Sequence, residues 1–255
     1  MSERTFKKNE ITEGVIWKQL LIFFFPIMLG TLVQQFYTTV DTIIVGRFVD
    51  KAALASVGGP AAVIANIVIT FFNGLANGAA VIIAQYYGSR DEERLHVGLH
   101  TAYAFSIMTS IAVTVVGVIG TPYFLKWMNT PEDMMADSTI YLRVYFFGII
   151  FTLVYNMGAA IMRAAGDSRR PLLYLIVCSV MNIILDIVMV VFLHMGIAGA
   201  ALATVISQCI SAALVTYSLM HAYDVMKLKL REIRMNMSVL AKELKIGIPG
   251  ALQAC

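Results

Sequence analysis

Two aspartates in apolar surroundings raise the first chemical question. Asp41 lies in "TTVDTIIVG", and Asp186 sits at the middle of "MNIILDIVMV". A carboxylate at the centre of a membrane helix costs roughly 2.5 to 3.5 kcal/mol on insertion scales. An amide would bind helices together without that penalty, so two acids point to function more than to packing. Asn182 stands four residues before Asp186, on nearly the same side of a helix one turn away. If the two carboxylates meet away from bulk water they repel, and a proton or a small hard cation relieves the repulsion. The proton of such a pair is shared and belongs to neither residue alone.

The elements that carry these groups follow from composition. Of 255 residues, 59% are hydrophobic and only 14% charged, where ordinary globular domains carry about 25% charged residues. A soluble core of this length could not hide so much apolar surface, so the chain reads as a multi-span membrane protein. Apolar runs of about 20 residues, the length that crosses the hydrocarbon as a helix, occur at approximately 20–46, 53–86, 96–121, 138–163, 171–194 and 197–221. Period-two alternation is absent and the runs are too long for strands, so the expected fold is an all-α bundle of six spans. A seventh apolar stretch opens near Val239. The segments predicted are an N-terminal piece 1–19, a six-helix lobe 20–222, a linker 223–238 and the start of a second lobe at 239–255. Between spans, "MNTPEDMM" stops one helix and starts the next, with Pro131 suited to a first helical turn and the acids to its positive end.

Basic residues orient the bundle. With the N-terminus cytoplasmic, Arg4, Lys7, Lys8, Lys18, Arg90, Arg94, Arg163, Arg169, Arg170, Lys227, Lys229, Arg231, Arg234, Lys242 and Lys245 fall inside. Only Arg47, Lys51, Lys126 and Arg143 fall outside, which is a strong positive-inside bias. The net charge of +3 then reflects topology and anionic lipid head groups, with no nucleic-acid partner required. The first apolar run lacks the cleavage site of a signal peptide. Cys178 and Cys209 lie inside spans and Cys255 is terminal, so the cysteines read as packing residues and not as a disulfide framework.

Polar residues recur at helical spacing on five spans: Gln34, Tyr37, Thr38 and Asp41; Asn66, Thr70, Asn73 and Asn77; Tyr141, Tyr145, Thr152, Tyr155 and Asn156; Asn182 and Asp186; Thr204, Ser207, Gln208 and Ser211. Lipid can satisfy none of them, so the stripes should converge on a shared wet interior. Span three carries only hydroxyls and is expected at the periphery. Asn66, Asn73, Ser106 and Thr109 are read as interhelical glue, and Gly74-x-x-x-Gly78 and "GIAGAALAT" as close-packing surfaces. His96 and His100 lie four apart, a metal-compatible spacing, and are read as helix-end polarity. Pro26 opposes a straight helix, and a bend is expected one turn before it. "LLIFFFP" (20–26) resembles "ELKIGIP" (243–249), as in two lobes of the same orientation separated by six spans.

These residues together carry a family resemblance. "PIMLGTLVQQFYTTVDTIIVGRF", "ALASVG", "AQYYGSRDEE", "IMRAAGDSRRP", "MNIILD" and "GIAGAALATVISQ", in this order, resemble the N-terminal half of a multidrug and toxic compound extrusion (MATE) transporter of the DinF-like branch. The resemblance implies a missing C-terminal lobe and a cation-coupling pocket formed by Asp41, Asn182, Asp186 and Thr204, with the carbonyl of Ala200 as a further ligand. It implies a cavity lined by Gln34, Tyr37, Tyr141 and Asn156, and a hinge at Pro26. The expected function is antiport: amphipathic organic compounds leave across the cytoplasmic membrane, driven by H+, Na+ or both, with membrane lipids as surroundings and no cofactor. A lipid-linked oligosaccharide flippase of the same superfamily would call for a more cationic cavity. A membrane aspartyl protease would need a "GxGD" that the chain lacks, which argues against an enzyme. A non-transporting membrane subunit is the remaining alternative.

Overall fold

The computed structural model describes residues 16–49, 57–223 and 225–254; the basic residues Arg4, Lys7, Lys8 and Lys51, most of "ALASVG" and Cys255 lie outside them. Seven helices follow in chain order: α1 (Ile16–Phe48), α2 (Ala62–Gly88), α3 (Glu92–Trp127), α4 (Glu132–Ala164), α5 (Arg169–Asp186), α6 (Gly196–His221) and α7 (Met237–Ala254). No strand occurs among the described residues. The first six are long and apolar enough to cross a membrane. Several helices outrun the apolar segments that announced them. The α3 helix takes in the charged turn at 92–95 because Asp91 caps it, its side chain accepting from the Arg94 amide at 3.0 Å, with Glu92 and Glu93 in the positive first turn. Pro131 sits at the cap of α4, just before Glu132 and Asp133.

Two short π-turns interrupt the pattern. One, at Val57–Ala61, holds Pro60 and a non-helical Gly59; the other, Ile187–Phe192, continues directly from Asp186. Nothing in the apolar run "IVMVVF" announces the second, which lies immediately after a chemically loaded residue, as π-bulges often do.

The turns between α2 and α3, α4 and α5, and α6 and α7 gather the basic residues at one end of the bundle. There Tyr155 of α4 donates to the Pro171 carbonyl at 3.1 Å, and Tyr223 donates to Asp167 at 2.8 Å. Burial, and then the Asp167 carboxylate, hold the Tyr223 phenol above its ordinary pKa. The connector from α6 to α7 is fastened to the same end. The Leu228 amide donates to the Leu219 carbonyl, the Lys229 amide to His100 Nε2 at 3.1 Å, and the Asn236 amide to Thr101 Oγ1 at 3.2 Å.

This connector corrects the reading of the histidine pair. An acid joins the pair, since Glu232 lies 3.0 Å from His96 Nε2, supplied from far along the chain. A hydrogen bond from Lys229 holds the Glu232 carboxyl below its ordinary pKa. His100 keeps both ring nitrogens on backbone groups, the Lys229 amide and the His96 carbonyl, so the trio serves as a clasp.

The largest apolar cluster fills this basic end, with Tyr103, Ile161, Met162, Val215 and Leu219 at its centre. A second, around Leu125, Leu142, Phe146 and Ile149, fills the opposite half between α2, α3 and α4. A third seats the end of α1 on the corner between α5 and α6 through Ile44, Val45, Val190, Ile197 and Ala200. The expected periphery of span three is thus only half right: the Leu95–Ser106 stretch of α3 is core, and α1 is the least buried of the six spans. Ser106 and Thr109 donate to carbonyls of their own helix, at Tyr103 and Phe105.

Small residues set the closest contacts. A Cβ on Gly74 would lie 2.3 Å from the Ala251 Cα, and one on Gly78 2.4 Å from the Gly247 Cα, so α2 and α7 touch backbone to backbone. Cys178 is buried and Cys209 half-buried, and both are free thiols. The helix of α1 continues unbroken through Pro26.

Candidate functional site

The polar stripes converge. Gln34, Tyr37, Thr38 and Asp41 from α1, Asn66, Asn73 and Asn77 from α2, and Thr204 and Gln208 from α6 line a cavity of about 550 Å³. The fourth helix closes it with Tyr141, Tyr145, Thr152, Tyr155 and Asn156, and no residue of α3 reaches it among the described residues. Pro26 also lines it. Asn66 and Asn73, read from sequence as glue, therefore face this space instead. Tyr141 has two roles, lining the cavity while packing in two apolar clusters and stacking on Tyr145 with ring centroids 6.1 Å apart.

The carboxylates meet at the wall of the cavity. Asp41 belongs to the lining, whereas Asp186 is 0% exposed and Asn182 1%, so both stand behind that surface. The two carboxyl groups nonetheless lie close enough to act on each other electrostatically. Asp41 is held there by Ile44 and Val45, which bury the following turn of α1 against Val190 and Ile197.

Around the pair, Asn182 Nδ2 donates to Thr204 Oγ1 at 3.4 Å, and the Thr204 hydroxyl donates to the Ala200 carbonyl at 3.1 Å. The chain of bonds leaves a set of acceptors bare. Asp41 Oδ1, both oxygens of Asp186 and Asn182 Oδ1 are buried without a hydrogen-bond partner. Four hard oxygens with no protein donor are the arrangement that a proton or a small cation satisfies. Ala200 is less free than the sequence reading supposed, because its carbonyl already accepts from Thr204. Its backbone is also closed in, at 2% exposure.

One charged lining residue escaped the sequence reading. Arg163 ends α4 in what looked like a cytoplasmic turn, yet its long side chain reaches the cavity near Tyr155 and Ser168. The signal was present as a basic residue at the end of a polar-striped helix, but its reach depends on rotamer and not on spacing.

A bundle of membrane-length helices with inward polar stripes and a carboxylate pair at the wall of a cavity marks a multi-pass membrane protein. The chain belongs to the MatE family, whose profile matches residues 26–188. It is similar to the probable multidrug resistance protein YoeA of Bacillus subtilis (strain 168), 30% identical over 244 residues, covering 93% of this chain and 52% of that protein. It is likewise similar to the probable multidrug resistance protein YpnP of the same organism, 33% identical over 256 residues, covering 97% and 55%. A crystal structure of a MATE protein in the bent conformation superposes with a TM-score of 0.88 at 26% identity, covering 96% of this chain and 55% of that one. The chain spans about half the length of the curated relatives it matches.

Proposed function

We propose that this chain is the cation-coupled lobe of an antiporter that exports amphipathic organic compounds across the cytoplasmic membrane. The basic end is the cytoplasmic one, in keeping with the positive-inside bias, and a second lobe completes the cavity. The observation that carries the reading is the approach of Asp41 to Asp186 with their oxygens bare. H+ or Na+ entering from outside binds between them, with Asn182 and Thr204 completing the oxygen shell. Because Asp41 lines the cavity and Asp186 stands behind it, an ion reaches the pair through Asp41. Binding shifts the lobe toward whichever arrangement holds the carboxylates together, by no more than the ion's preference for that arrangement. The aromatic rings of Tyr37, Tyr141 and Tyr145 offer flat apolar faces to an organic cargo, and the amides of α2 give it polar contacts.

The test is dye efflux from vesicles containing the full-length protein, with an inward proton gradient or an inward sodium gradient imposed separately. Gradient-dependent efflux that disappears in Asp41→Asn supports the reading. Efflux indifferent to both gradients defeats it.

A further inference from the structure

A third buried carboxylate lies far from this pair. Glu243, on the second turn of α7, is 3% exposed, and neither of its carboxylate oxygens has a hydrogen-bond partner. It sits at the basic end, whereas Asp41 and Asp186 lie toward the other ends of α1 and α5, and it does not line the cavity.

Its enclosure is the joint between α2 and α7. A Cβ on Gly78 would stand 2.7 Å from the Glu243 carbonyl oxygen, and Gly247, one turn on, is itself pressed against Leu75. At 3% exposure the side chain has almost no contact with water.

Among the described residues no counter-charge meets it. The α2 helix brings only Tyr86 and Tyr87 as ionisable groups, and Tyr86 packs on Gly98. On the neighbouring part of α3, Glu92 and Glu93 are exposed, Arg94 pairs with Asp91, His96 pairs with Glu232, His100 holds the Lys229 amide and Tyr103 bonds Thr216. On its own helix Lys242 and Lys245 are exposed. A carboxylate shut away from water without donor or cation is disfavoured as an anion and takes up a proton instead.

We propose that Glu243 is a proton-binding site that senses whether α2 and α7 are seated on each other. With the joint seated, the side chain is a neutral acid. When the helices part and cytoplasmic water enters, the O–H bond breaks, the electron pair stays on the carboxylate and the proton passes to water. The sign of the linkage follows: the carboxyl binds its proton more tightly when seated, so protonation contributes fully to seating below the ordinary carboxylate range. That contribution is lost as pH rises toward the seated value, by up to about tenfold in the seated-to-parted ratio per pH unit.

The test measures the joint itself. In the full-length protein in nanodiscs, with Cys178, Cys209 and Cys255 replaced by serine, spin labels go on Gln85 of α2 and Ala241 of α7, both exposed. Their separation is measured by pulsed electron resonance between pH ~5 and ~8, the range spanning a buried carboxyl's displacement, without substrate or gradient. The expected result is a shift to longer distances with rising pH that E243Q abolishes, staying short throughout, while E243D retains it and D41N leaves it unchanged. A parent protein whose distances ignore pH, an E243Q that follows the parent, or a D41N that removes the response would each overturn the proposal. Since nothing is transported in this measurement, its outcome is independent of whether efflux is found.

Discussion

Asp41 and Asp186 come close enough to act on each other from two helices that are otherwise unlike, one the least buried of the six spans and the other ending in a fully buried acid. The asymmetry gives the pair an open and a closed side. On the proposed reading, an ion arriving from the cavity meets Asp41 first and finds in Asp186 a carboxylate with no donor to displace.

If both acids act on one ion as proposed, they should not contribute independently. In the full-length protein, Asp41→Asn and Asp186→Asn are each expected to reduce gradient-driven efflux by more than about tenfold, and the double variant to be no worse than the more severe single one. Initial efflux rates in vesicles with matched protein content check this; additive losses would mean that the two acids serve separate steps.

Thr204 joins two neighbours, accepting from Asn182 and donating to the Ala200 carbonyl. Thr204→Val preserves shape while leaving the buried Asn182 amide without its acceptor, a loss of about 1–3 kcal/mol for such groups. The expected consequence is weaker ion binding by roughly tenfold or more, since 1.4 kcal/mol is a factor of ten. Isothermal titration with sodium at fixed pH, on protein that still elutes as a single species, reads it out.

The seat of α7 on α2 has no room for a side chain. Gly78→Val should force the backbones apart, because the obstructing atoms are the Gly247 main chain and not a flexible side-chain end. Overpacking of this kind costs typically 1–3 kcal/mol. A lowered thermal midpoint is expected from Gly78→Val, whereas the same change at exposed Gly88, where a Cβ would meet nothing within 4 Å, should leave it nearly unmoved.

His100 accepts the Lys229 amide from a buried position. His100→Leu removes that acceptor and should loosen the connector, which carries trypsin sites at Lys227, Lys229, Arg231 and Arg234. Limited trypsin digestion should cut there several-fold faster than in the parent, with the spans left intact. Equal cutting rates would show that the clasp contributes nothing to holding the segment.

The spans and the carboxylate pair were legible in the sequence because each rests on a rule of composition or period: apolar length sets a membrane helix, and a 3.6-residue repeat puts Gln34, Tyr37 and Asp41 on one side. Gly74 and Gly78 gave away their contact in the same way. What escaped depended on meetings across the chain. Glu232 pairs with His96 only because the connector folds back over α3, and Arg163 enters the cavity by extending a long side chain from a helix end. The π-turn after Asp186 left no trace, since "IVMVVF" suits an α-helix as well. The role of α3 was misjudged for a related reason: a helix whose polar groups do not reach the cavity can still be core when it packs on other helices rather than lipid.

The fastening of the connector has a mechanical consequence. With Lys229 and Asn236 pinned to His100 and Thr101, α7 begins from an anchored pivot only one residue away, so it cannot drift as a tethered body would. Its freedom is that of a lever on a fixed fulcrum, in which a small tilt near Asn236 becomes a wide sweep at the far tip beyond Ala251.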